Sequence, residues 1–295
     1  MPNAQKSQPS ILASVPPVGR SVTFRLNPNA DVREALAQLR DNFDLESGIV
    51  GLGEPAVSGL HRSIPGLRTF PAMSGPSVSV PSTQQALWVL LRGSDRGELI
   101  HASAKLQDRV CPAFVLHDLV DTFVYAGGRD LSGYEDGTEN PKANDAVNAA
   151  VMDGPAGLDG SSFVAVQRWV HDLRRFAQFP QTERDAIIGR RQDTNEELGD
   201  SPESSHVKRT AQESFDPPAF MWRRSMPWAS PTDHGLEFIA FVESLDRFDR
   251  MMRRMAGLED GVTDGLFRFS RAVTGGHYWC PPVADNRLDL SYLGV

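Results

Sequence analysis

The chain has 295 residues, with 30 Lys+Arg against 38 Asp+Glu, so its formal net charge is −8. At roughly 150 residues per domain that length builds two domains or one large one, and a composition 40% hydrophobic and 23% charged excludes a mainly disordered or membrane-embedded chain. The acidic balance, with no long Lys/Arg stripe, excludes a dedicated nucleic-acid binder, and two isolated cysteines, Cys111 and Cys280, exclude a disulfide framework and covalent cofactor attachment through paired cysteines.

Residues 1–20, rich in Pro and Ser, read as a mobile arm without the apolar core of a signal peptide, and a reducing cytoplasm is the expected location. From Ser21 the segment SVTFRL alternates like a half-buried strand. DVREALAQLRDNFD then places Val32, Leu36, Leu39 and Phe43 at helical spacing behind Asp31, an N-cap residue. GIVGLG and QALWVLLRG read as strands, ELIHASAKLQDRV as a helix and AFVLHDLVDTFVYAGG as a returning strand. Past Asn140 the rhythm recurs: SFVAVQRWVHDL as strand, PQTERDAIIGRR as helix, FMWRRSMPW and LEFIAFVESL as strands, DRFDRMMRRMAGL as helix, and GLFRFSRAVTGGHYWCPP as strand and loop. The repeated order predicts a duplicated α+β unit, each half an antiparallel sheet with helices on one face, over residues 21–142 and 143–295.

Seven histidines (His61, His101, His117, His171, His206, His234 and His277) form no HExxH pair or zinc-spaced cluster. GxSxG, a Walker A loop and a strand-linked GxGxxG are also absent, which removes the common hydrolase, kinase and dehydrogenase readings. What stands out is the turn-rich stretch GGRDLSGYEDGTENPKAND between the halves. Its Asp136 is a loop carboxylate between Gly133 and Gly137. Composition favours a plain surface turn, and spacing also allows a loop whose glycines let the backbone approach a flat ligand and aim Asp136 at it.

The segment GYEDGTENP, with Gly133, Asp136 and Gly137 filling a GxxDG pattern, resembles the signature of dye-decolourising peroxidases. Three further stretches are similar in the same order: Ile187-Ile188-Gly189-Arg190, Ser204-Ser205-His206-Val207 and Trp222-Arg223-Arg224-Ser225-Met226-Pro227. A fourth, Phe269-Ser270-Arg271-Ala272-Val273-Thr274-Gly275, closes a match running from about Ser21 to Pro282, and the likeness is to the short bacterial members. It implies two ferredoxin-like domains with one noncovalent haem b per chain, bound mainly by the second.

Carried over position by position, the resemblance makes His206 the axial ligand to iron. Asp264 is the carboxylate expected behind it, with Glu213 as a weaker alternative and a turn cap as Asp264's other role. Asp136 and Arg223 would flank hydrogen peroxide, one moving a proton between its oxygens and the other stabilising the charge that develops. Strand alternation puts Ser225 on Arg223's face and turns Arg224 towards a carboxylate or solvent. Arg190, with Thr138 and Glu139 along the haem edge, is expected at the propionates, and Leu266, Phe269 and Phe238 at the porphyrin face. Trp169, Trp222, Trp228, Tyr278 and Trp279 could carry electrons from donors too bulky to enter. The expected activity is peroxidase oxidation of dyes and phenols. A haem carrier, and a haem-free protein using the acidic loop, remain the competing readings. The resemblance further implies a homo-oligomer, and the tail Leu290-Ser291-Tyr292-Leu293-Gly294 faintly echoes peptides that load relatives into a shell protein, although a plain terminus explains it as well.

Overall fold

A computed structural model describes residues 2–295. Among the described residues ten strands form one antiparallel sheet that closes on itself, and two short two-stranded ribbons, Met73–Ser74 with Ser79–Val80 and Val283–Ala284 with Arg287–Leu288, stand apart from it. Around the ring run Ser162–His171, Gly276–Cys280, Gly48–Leu52, Leu87–Gly93, Val18–Leu26, Phe114–Phe123, Met226–Ala229 and His234–Val242, and the last pairs back with the first. Two short strands extend it: Ser270–Ala272 beside Ser162–His171, and Trp222–Arg223 beside His234–Val242.

The predicted strands and helices form close to where their periodicities placed them. Asp31 caps Val32–Asn42 by accepting from the Arg33 and Glu34 N–H groups, and Val32, Leu36 and Leu39 are buried. In each half the first and third of the four ring strands lie in the middle, with the second and fourth outside them. The halves therefore share one strand order. They meet edge to edge through single residue pairs, Thr122 with Trp228 and Leu52 with Trp279. Joining the edges pairs each of the eight ring strands on both sides.

Alternation along the strands then builds two cores. Ile49, Trp88, Leu90, Val164, Val166, Ile239, Phe241 and Tyr278 face inward as one cluster. Residues of opposite parity, including Ala165, Trp169 and Ala240, pack outward in the larger cluster with Phe248, Met251 and Met252 of the helix Leu245–Met255.

The N-terminal segment corrects the expectation of a mobile arm to residue 20. The first ring strand already begins at Val18, and Pro9–Leu12 is a short helix whose Ile11 is fully buried in the inner cluster. Gln8, also fully buried, donates to the Val50 and Pro281 carbonyls and accepts the Val50 N–H. A Pro/Ser-rich composition signalled no strand or long helix. It carried no information about one isoleucine and one amide filling the end of a ring.

Candidate active site

Between the outward face of the second half and the helix Leu245–Met255 lies an apolar cavity. Its walls are Leu236 and Phe238 from one strand, Gln167 and Trp169 from the neighbour, and Phe248, Met251, Met252 and Met255 from the helix. The pairs Leu236–Trp169 and Phe238–Gln167 are in register, which sets these four side by side. Ile188 and Leu266 complete the apolar lining, and His206, Asp136 and Arg223 bring polar groups to it.

His206 opens a one-turn helix, His206–Arg209. That helix is anchored by Arg209, buried, which ion-pairs with Asp260 and donates to the Arg254 carbonyl. His206 Nδ1 lies 2.8 Å from Asp264 Oδ2. Asp264 has no exposed side-chain surface, whereas His206 keeps 26% of its own. A carboxylate only accepts, so the neutral ring carries its proton on Nδ1 and keeps a free lone pair on Nε2. Asp264 Oδ1 meanwhile receives the Leu266 N–H at 2.8 Å, capping the turn Gly265–Arg268. The two roles considered for Asp264 are therefore filled by different oxygens of one carboxylate. Glu213 is exposed, and no bond joins it to His206.

Arg223 pairs with Ala240, which places it on the cavity face with Phe238, while Trp222 pairs with Phe241 and faces the inner cluster. No hydrogen bond ties the Arg223 guanidinium to protein among the described residues, and its Nε is buried without a partner. Asp136 sits on the loop between the halves. Its Oδ1 accepts the Gly137 N–H at 2.8 Å. Burial raises the pKa of Asp136 above the ordinary aspartate value and the nearby Asp130 charge adds to this, while Arg223 and His206 pull against them.

Two more cavities adjoin the first. One is polar, bounded by Thr138, Glu139, Arg190, Glu197 and Lys208 as well as His206. The other runs past Ser225 and Asn140 towards Val15 and Tyr125. Asp136 and Arg223 are the two residues that line all three.

Several expected placements change. Phe269 lies outside the cavity lining: it stacks on Phe176, ring centres 4.0 Å apart, in a separate cluster with Tyr134 and Ile187. Arg190, Thr138 and Glu139 stand at the polar cavity and not at the apolar one, with Arg190 held by Glu139, Glu197 and the Asn195 carbonyl. Ser225 lines the third cavity, its Oγ 3.4 Å from the Ile239 N–H. Arg224 finds neither carboxylate nor open solvent: it donates to the Leu12 and Ala13 carbonyls and lies 4.1 Å over the Trp222 ring. Gly133 and Gly137 do adopt positive φ, 89° and 73°. Their missing side chains, however, make room for Gln192 and Asn140 and not for a ligand. Of the five aromatic candidates, Trp169 alone lines the cavity.

Sequence reasoning missed three residues. His171 is buried at the cavity wall, Nε2 3.1 Å from Asp130 Oδ2 and Nδ1 2.6 Å from Ser270 Oγ. Burial works to raise Asp130, but the hydrogen bond and charge of His171 and the Ser132 contacts outweigh it and hold the carboxyl below its usual range. Asn140, read as part of a chain reversal, bonds twice to the Arg223 backbone. A lone histidine and an Asn-Pro turn carry no spacing signal for such contacts.

The donor set fits haem. An apolar cavity meets a histidine with one free ring nitrogen, and beside it stand a half-buried guanidinium without a protein partner and a carboxylate. Among the described residues no helix is long and apolar enough to cross a membrane.

Comparison with known proteins agrees with this geometry. Residues 127–285 match the family model described as Dyp-type peroxidase, C-terminal. A dye-decolorizing peroxidase of Mycobacterium tuberculosis (strain ATCC 25618 / H37Rv) is 30% identical over 224 residues, 74% of this chain and 67% of that protein. The structure of a dye-decolorizing protein from V. cholerae superposes with a TM-score of 0.83 at 29% identity, covering 92% of this chain and 96% of that one. A DypB variant of Rhodococcus jostii RHA1 in complex with heme gives 0.85 at 25% identity, covering 92% and 95%. The chain, with its mixed helix and sheet fold, belongs to the dye-decolourising (DyP-type) peroxidases, a family of haem-dependent oxidoreductases that act on hydrogen peroxide and organic donors.

Proposed function

We propose that His206, Asp136 and Arg223 divide the work of this family's reaction in the present chain, with haem b held noncovalently in the apolar cavity. The chemistry that bound haem supplies is two-electron reduction of hydrogen peroxide followed by one-electron recovery from aromatic donors such as dyes and phenols. His206 Nε2 offers its lone pair to the metal, while Asp264 fixes the tautomer and raises the basicity of the ring. Leu266 and Phe238 would pack against the porphyrin, and Arg190, by exchanging Glu139 or Glu197, would hold a propionate with Thr138 beside it.

Asp136 takes the proton from one peroxide oxygen and returns it to the other as the O–O bond breaks, so it ends as it began. Its weakened solvation makes it a stronger base than a free aspartate. Arg223, permanently cationic and with no protein acceptor to compete, stabilises the negative charge on the departing oxygen. Ser225 lines the approach to Arg223 from the third cavity. The observation that carries this reading is the convergence of all three cavities on Asp136 and Arg223.

The shared strand order supports reading the halves as two ferredoxin-like domains, 21–142 and 143–295. The cavity lining, drawn from the second half apart from five residues of the loop 130–136, supports haem binding mainly by that half. Two free thiols, exposed Cys111 and buried Cys280, suit a reducing cytoplasm.

The test is a haem-loaded protein assayed with peroxide and a dye. We expect a Soret band that depends on His206, and losses of about 10²–10³ in the rate with peroxide for Arg223→Ala. Asp136→Ala is expected to slow the same step. Full peroxide reactivity in the double variant would overturn the assignment.

A further inference from the structure

The Arg223 side chain makes no hydrogen bond of its own to protein among the described residues, so its main chain must place it. That main chain belongs to a strand of two residues, Trp222–Arg223, paired on one side only. In the pair with Ala240 the Arg223 N–H and C=O point away from the partner strand, the neighbouring Arg224 N–H bonding to Ile239 O at 2.8 Å instead. An edge of this kind leaves one donor and one acceptor to be met elsewhere.

Asn140 meets both. Its Oδ1 accepts the Arg223 N–H at 2.9 Å and its Nδ2 donates to the Arg223 carbonyl at 3.0 Å. One side-chain amide thus stands in for a third strand. Asn140 belongs to the loop that carries Asp136 four residues earlier, in a turn closed by its own N–H on the Gly137 carbonyl at 3.0 Å. A second amide runs alongside: Gln212, buried, donates to the Glu139 carbonyl at 2.8 Å and accepts the Met221 N–H at 2.8 Å. The loop of Asp136 and the strand of Arg223 are therefore stitched at two points, Glu139 to Met221 through Gln212 and Asn140 to Arg223 directly.

We infer that Asn140 is a positioning residue for peroxide activation: its amide sets the strand of Arg223 against the loop of Asp136, so that proton transfer and charge stabilisation act on one peroxide. The inference rests on the roles given above to Asp136 and Arg223. Asparagine is required because an aspartate would keep the acceptor and set a second oxygen against the Arg223 carbonyl, while a glutamine would carry its amide one methylene too far. A displacement of about 1 Å is enough to cost on the order of 10²-fold in a reaction that depends on orientation.

Asn140→Ala and Asn140→Asp should be compared in the wild-type and Arg223→Ala backgrounds. All are haem-loaded and assayed for the bimolecular rate with peroxide, the KM for a dye donor and hydrogen exchange at the residue-223 amide. We expect a tenfold or greater loss of the peroxide rate in the wild-type background and less than twofold in Arg223→Ala. The donor KM should stay constant, and exchange at the residue-223 amide should quicken at least tenfold in Asn140→Ala. Equal losses in both backgrounds, or no loss in the wild type, overturn the positioning role. If Arg223→Ala itself leaves the peroxide rate intact, the assignment of Arg223 fails instead. Should Asn140→Ala fail to fold, Asn140→Asp with one bond retained carries the same comparison.

Discussion

Asp264 binds His206 through one carboxylate oxygen and its own turn through the other, Oδ2 at 2.8 Å from Nδ1 and Oδ1 at 2.8 Å from the Leu266 N–H. The residue that orients the ring is thereby held still by the backbone. A further bond, from the Gly265 N–H to the Ser204 carbonyl at 2.6 Å, ties the two segments together.

The two oxygens can be separated by mutation. Asp264→Asn can keep the cap through its amide oxygen while replacing the anion that faces Nδ1, and outer partners of this kind are worth about 10–100-fold in metal affinity or activity. We expect a loss in that range for haem affinity, followed by Soret titration, or for turnover, with little change in melting temperature. Asp264→Ala loses the cap as well and should cost about 1 kcal/mol more in denaturant unfolding.

The pH profile of the peroxide reaction should report Asp136. The group acts as a base, so the rate rises as it deprotonates, and its raised pKa places that rise above the range of an ordinary aspartate. The Asp130 charge contributes to the upward shift. Asp130→Asn should therefore move the rise to lower pH, measurable by rapid mixing with peroxide across buffers. An unchanged profile would detach Asp130 from the site.

Stability of the haem-free protein should show the same group with the opposite consequence. An acid whose folded pKa is raised binds more protons in the native state than when unfolded, so stability falls as pH rises through that window. Asp136→Asn removes the cost of the buried charge. The variant should resist urea better than the parent at pH 7, and the advantage should vanish as pH falls below the unfolded value of 3.8. Urea melts at both ends of the range decide it.

Ile11 is fully buried in the inner cluster, and its carbonyl accepts the Trp222 indole N–H at 2.8 Å, one residue from Arg223. Ile11→Ala should cost about 2–5 kcal/mol for the cavity left behind. Removing the first thirteen residues should lower the melting temperature further, because it also strips Arg224 of its Leu12 and Ala13 acceptors.

Much of the molecule was legible because its signals are local. The helix Val32–Asn42 follows from four apolar residues and a capping Asp31, and the His206 and Arg223 segments follow from short motifs in a fixed order. What stayed hidden depends on partners far away in the chain. Phe269 is apolar wherever it goes, and only the position of Phe176 makes it a stacking core residue and not part of the cavity lining. Arg224 looked bound to a carboxylate or solvent because nothing in its neighbourhood announces two carbonyls more than two hundred residues away. Asn140 looked like a turn because its two bonds reach across 83 residues.

By itself, the sequence determined the periods of the strands and helices and the repeat of their order, and its resemblance to a known family singled out His206, Asp136 and Arg223 as candidates. Those properties reside in residue type and short spacing. The tertiary structure decided the closure of two sheets into one ring through Thr122–Trp228 and Leu52–Trp279. It also decided which carboxylate stands behind His206 and which amide holds Arg223. Register and side-chain hydrogen bonds are set by where separate segments meet in space, and only packing brings those segments together.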